Sequence, residues 1–166
     1  RENNFEPEIM STWRTGIDLP GVRWQFVNFG FVHQSNGRSQ ILSRSWNRVI
    51  ASADFERDAM LVRLRAWYRL PESREKDDNP SIWNYMGYGD ITLAWRNKQH
   101  EFSVLARNNL RGGDGSKGAI QLDWSFPISR RFRGYVQYFN GYGESLIDYD
   151  ARSHRLGIGI TLTDLL

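Results

Sequence analysis

The chain has no cysteine among its 166 residues, so neither a disulfide framework nor a thiolate metal site can hold it together. It also lacks a coherent run of basic charge. Its 22 Lys and Arg are scattered among 19 Asp and Glu, which speaks against a nucleic-acid surface. No stretch nears the roughly 18 consecutive apolar residues of a membrane helix. That leaves a strand-spanning protein open, because a spanning strand needs only about 9–11 residues with every second one apolar. The sequence opens at Arg1 without a pattern of basic, apolar and small residues, so it is expected to be either a mature start or a piece of a longer protein, and Arg1-Glu2-Asn3-Asn4 reads as the tail of a loop.

Aromatic residues are plentiful, with seven Trp and seven Tyr. They suit either a β-rich core or the interfacial anchors of a membrane barrel. The dominant pattern is period-two alternation. Ile120, Leu122, Trp124, Phe126 and Ile128 alternate with Gln121, Asp123 and Ser125. His154, Leu156, Ile158, Ile160 and Leu162 alternate with Ser153, Arg155, Gly157, Gly159 and Thr161. Similar segments at 60–69 and 87–96, and weaker ones at 5–17, 22–35, 46–57, 100–109 and 131–142, bring the expected strands to nine.

Short connections at 18–21, 57–58, 97–98 and 129–130 alternate with longer polar ones at 36–45, 70–86, 110–117 and 143–151. That asymmetry is the pattern of an outer-membrane barrel, with short turns at one end and longer loops at the other. The large polar groups Arg63, Arg65, Asp90, Arg96, Glu101, Arg107, Asp123 and Arg155 then suit an ion-paired interior. They would equally suit a solvated surface. Nine is an odd number where bacterial single-chain barrels have even ones. An unpaired edge in hydrocarbon costs several kcal/mol per orphan backbone group, so further strands are expected upstream of Arg1.

His33 and Ser35 lie two apart on an expected strand and share its apolar parity with Phe29 and Phe31. Asn47 shares the apolar parity of Val49, Ala51 and Phe55 on the next strand. Polar groups on an apolar face are expensive unless paired. One account is a His–Asn hydrogen bond stapling a hairpin, with Asn36-Gly37 as an ordinary turn pair. The other is a hydrolytic set: Ser35 as nucleophile, His33 as base, Asn47 orienting the ring, and the Gly37 amide as an oxyanion donor.

His33-Gln34-Ser35-Asn36-Gly37-Arg38-Ser39 followed by Ser43-Arg44-Ser45-Trp46-Asn47-Arg48 resembles the active-site region of the outer-membrane phospholipase A family. So do Lys76-Asp77-Asp78-Asn79-Pro80, Tyr85-Met86-Gly87-Tyr88, Gly141 through Tyr149, and the opening Arg1 through Pro7. The resemblance implies an all-β, antiparallel transmembrane barrel, twelve-stranded in the family. Residues 1–166 would then be one barrel domain without its first strands. It implies calcium-dependent hydrolysis of acyl esters of phospholipids and lysophospholipids in the bacterial outer membrane, by a homodimer. By position it implies a Ser35–His33–Asn47 triad, with Gly37 and a calcium-bound water as the oxyanion site. Arg38, through its carbonyl, Ser43 and Asp78 would hold calcium, as oxygen ligands suited to a hard cation. Gln40 stands where the family carries an Asp, which predicts a weakened calcium site. The chain ends in Leu165-Leu166 rather than the terminal aromatic common in such barrels. A non-catalytic outer-membrane pore and a soluble lipid-binding barrel are the competing readings.

Overall fold

The structure, a computed structural model, describes residues 3–162. The expectations about the first two residues and about Leu165-Leu166 lie outside that range. Nine strands form one antiparallel sheet in which each pairs only with its sequence neighbours. They are β1 (Glu8–Leu19), β2 (Val22–Ser35), β3 (Ser45–Arg57), β4 (Met60–Arg69), β5 (Gly89–Asn97), β6 (His100–Asn108), β7 (Gly118–Pro127), β8 (Phe132–Tyr142) and β9 (Arg152–Leu162). Among the described residues the sheet is open, with β1 and β9 at its edges.

All nine expected strands are present, shifted by a residue or a few at their ends. The largest shift is in β1, which starts at Glu8 instead of 5 and runs on to Leu19 instead of stopping near 17. Its register slips between Arg14 and Ile17, around Gly16 at φ 62°. A bulge places two residues opposite one, so the strand continues with its parity reset. Upstream, Phe5 and Ser35 form an isolated bridge. The tight turns sit at 20–21, 58–59 and 98–99, and a longer one at 128–131. Three long connections contain short helical turns that alternation cannot show: 3-10 turns at Gln40–Leu42 and Gly113–Gly115, and the helical turn α1 (Trp83–Met86).

The two faces of the sheet differ as the parity requires. Phe29, Leu64, Ile91, Leu156, Ile158 and Ile160 are exposed on one face. The other face carries the large polar groups, and they are paired with one another. Arg63 meets Asp54 at 2.6 Å and Arg65 meets Asp90 at 2.5 Å. Arg107 donates to the Tyr142 and Gly143 carbonyls at 2.6 and 2.8 Å. Asp123 accepts from Ser103, Gln121, Tyr135 and Gln137. Each of these charges thus has at least one partner, as a filled interior requires, since a lone buried charge would cost several kcal/mol. Among the described residues, the Asp90 Oδ1 and Arg107 Nε atoms are buried without one.

At the long-loop end this polar face turns apolar. Val32, Trp46, Ile50 and Trp67 are buried there against Ile82, Met86, Leu146 and Tyr149 of the loops. Trp67 Nε1 donates to the Gly87 carbonyl at 2.9 Å, and Trp46 Nε1 to Gln34 at 2.7 Å. The Arg48 guanidinium stacks 4.1 Å over the Trp46 ring and pairs with Glu6 at 2.6 Å. Each fully buried large side chain contributes about 1.5–3 kcal/mol, so the loops are held to the strands they follow.

Candidate active site

The β2–β3 register sets His33 opposite Asn47 and Ser35 opposite Ser45. All four positions lie on the apolar face, at the long-loop end. His33 Nδ1 and Asn47 Oδ1 are 2.9 Å apart. The Asn47 amide in turn donates to Glu72 Oε1 at 3.2 Å, just beyond β4. Ser35 follows His33 on the same face, and its backbone is pinned by the Phe5 bridge, at 2.8 and 2.9 Å. The hydrogen bonds among the described residues do not include one from Ser35 Oγ to His33. In the absence of substrate such contacts are often long.

Asn36 organises the loop that follows. Its side chain is buried, donates to the Leu42 carbonyl at 2.8 Å, and accepts from the Arg38 and Arg44 amides at 3.2 and 3.0 Å. The turn at Gly37 has φ 62°, and an added Cβ there would stand 2.9 Å from the Phe5 ring. Only glycine satisfies both the left-handed backbone and that close approach. The same lack of a side chain leaves the Gly37 amide approachable.

Ser43 and Asp78, expected on the same metal, are in contact: Ser43 Oγ donates to Asp78 Oδ2 at 2.5 Å. The Ser45 amide donates to the other carboxylate oxygen at 2.9 Å. The Asp78 loop is itself anchored. Arg69 pairs with Asp77 at 2.6 Å and donates to Asn79 at 3.2 Å. Calcium asks for six to eight oxygen ligands. A hydroxyl, a carboxylate and the Arg38 carbonyl have the right chemistry and fall short in number. No cluster of three or more His, Cys, Asp or Glu suited to a metal occurs among the described residues. Gln40, exposed at φ 56°, brings no carboxylate to make up the difference.

Three residues around the site escape a reading of the sequence. Asn36 looks like half of a turn pair, and Phe5 like part of an edge strand. Glu72 is twenty-five positions from Asn47. Its parity was the available signal, since 72 continues the outward set of Tyr68 and Leu70 past the end of β4.

Fold and site together define a class: a strand-spanning, barrel-type sheet that carries serine, histidine and asparagine on its apolar face. The sequence profile of the phospholipase A1 family matches residues 1–162, and the chain belongs to that family. It is 44% identical over 169 residues to a putative phospholipase A1 of Neisseria meningitidis serogroup B, covering 99% of this chain and 43% of that protein. It is 37% identical over 165 residues to phospholipase A1 of Escherichia coli K12, covering 99% and 55%. The chain thus spans about half the length of these relatives. The solved outer membrane phospholipase A of Escherichia coli superposes with a TM-score of 0.90 at 36% identity, over 100% of this chain and 62% of that one. A Salmonella typhi outer membrane phospholipase, solved as a dimer with bound calcium, matches with a TM-score of 0.90 at 34% identity, over the same shares.

Proposed function

We propose that the protein to which this chain belongs is a calcium-dependent phospholipase of the bacterial outer membrane, hydrolysing acyl esters of phospholipids and lysophospholipids. Ser35 attacks the ester carbonyl, and His33 takes its proton and returns it to the leaving alcohol. Asn47 holds the imidazole by the Nδ1 contact. The Gly37 amide donates to the oxyanion. The observation that carries this reading is the 2.9 Å His33–Asn47 contact on the apolar face, two residues from Ser35. A lipid ester reaches such a face from the membrane, without leaving it for water.

Arg38, Ser43 and Asp78 would hold the calcium, with water or a second subunit completing the shell. When bound, calcium supplies positive charge beside the developing oxyanion. The Salmonella relative's calcium-bound dimer supports both the ion and a homodimeric active form. Residues 1–166 form one barrel domain together with strands outside this chain, because two open edges in hydrocarbon would each leave a row of backbone groups unpaired. The ion-paired polar face disfavours the competing pore, which needs an open lumen.

The test is ester release from detergent-dispersed phospholipid by the full-length protein, with calcium and with chelator, for wild type and Ser35→Ala. Calcium-dependent release by wild type alone is expected. Equal, calcium-independent rates in the two proteins would remove the assignment.

A further inference from the structure

Beyond β4 the chain keeps pace with β3 for one more step: the Leu70 amide donates to the Asn47 carbonyl at 2.8 Å. Pro71 then ends the pairing, having no N–H to offer. Glu72 therefore emerges on the apolar face beside Asn47, and Asn47 Nδ2 donates to its Oε1 at 3.2 Å.

This contact bears on a weakness of asparagine as an orienting group. The two ends of a primary amide are nearly the same shape, so an unanchored side chain can present either oxygen or NH2 to an imidazole. Presenting NH2 would hold the ring in the wrong tautomer, with the proton on the nitrogen that must face Ser35. An ionised carboxylate only accepts hydrogen bonds. Engaged by Glu72, the NH2 end of Asn47 is committed, its oxygen must face His33 Nδ1, and that nitrogen must donate. His33 Nε2 is then left as the acceptor for the Ser35 proton.

We propose that Glu72 is a positioning residue which sets the orientation of the Asn47 amide and, through it, the tautomer of His33. The proposal rests on the Ser35–His33–Asn47 reading above and adds a fourth member that touches neither substrate nor the reacting atoms.

Two variants and a compensating pair test it in the full-length protein, assayed in detergent with calcium and with rates normalised to folded protein. Glu72→Ala should lower kcat about tenfold, the effect of one lost orienting hydrogen bond, and leave KM within about twofold. Asn47→Asp sets two carboxylates against each other and should lower kcat further. Adding Glu72→Gln to Asn47→Asp restores a donor–acceptor pair, and should raise kcat at least about tenfold over Asn47→Asp alone. A merely structural role for Glu72 gives no such reversal. The proposal is overturned if Glu72→Ala keeps kcat within twofold of wild type, or if Glu72→Gln fails to raise the Asn47→Asp rate. Ser35→Ala, run alongside, separates the two layers. Activity surviving in Ser35→Ala removes the triad itself, whereas a silent Ser35→Ala with unaffected Glu72→Ala removes Glu72 alone.

Discussion

Two histidine–asparagine pairs face each other across neighbouring strands on the apolar side of the sheet, His33 with Asn47 between β2 and β3, and His154 with Asn140 between β8 and β9. Both sit toward the long-loop end, and in residue type and register they are alike. Their hydrogen bonds are not. In the first pair the ring nitrogen meets the asparagine oxygen, because Glu72 engages the NH2 end. In the second, Arg152 donates twice to the Asn140 oxygen, each at 3.2 Å, and His154 Nδ1 turns to the Tyr138 hydroxyl at 3.4 Å. The NH2 end of each asparagine meets an acceptor, the Glu72 carboxylate for Asn47 and the Tyr138 hydroxyl at 3.3 Å for Asn140, so what separates the pairs is the Arg152 cation that takes the Asn140 oxygen. A hydroxyl two residues on completes the contrast: the loop-ward neighbour on the same face is Ser35 for His33 and Arg152 for His154.

The largest expected effect is at the nucleophile. Ser35→Ala should cut ester release at least about a thousandfold, while His154→Asn stays within about twofold of wild type, both read as initial rates. Next is the orienting amide. Asn47→Ala should cost about a hundredfold in kcat, and Asn140→Ala should cost nothing comparable. Smaller again is the metal side of the first cluster. Asp78→Asn should raise the calcium needed for half-maximal activity about tenfold, and a calcium titration of wild type and variant reads this directly. The smallest effect is an expected failure. Placing a serine beside the second pair by Arg152→Ser, in a Ser35→Ala background, should restore no activity, because His154 Nδ1 is already turned to the Tyr138 hydroxyl, which also takes the Asn140 NH2 end where Asn47 meets a carboxylate. Measurable hydrolysis by that double variant would break the distinction between the pairs.

The strands were readable because alternation runs along most of each strand of a pleated sheet, and the outward parity of His33, Ser35 and Asn47 was readable with them. The bulge in β1 was not, since Gly16 resembles any other small residue until its φ is known. Nor was the apolar cluster at the long-loop end. Trp46, Ile50 and Trp67 occupy the polar parity of their strands, and their partners Ile82, Leu146 and Tyr149 come from loops that have no period. The contact of Ser43 with Asp78 joins residues thirty-five apart and was anticipated only through family resemblance. The hairpin-staple account of the His33–Asn47 bond is met by the 2.9 Å contact itself. It leaves Glu72 without a role.

The central claim is that the environment of His33, and not that of His154, activates a serine. Covalent capture by a serine-directed sulfonyl fluoride tests this most directly, in the full-length protein with calcium, with the modified residue located by mass spectrometry. The account predicts labelling at Ser35 that is lost in His33→Asn and unchanged in His154→Asn. Labelling that persists at the same rate in His33→Asn, or that falls on a residue other than Ser35, would contradict it.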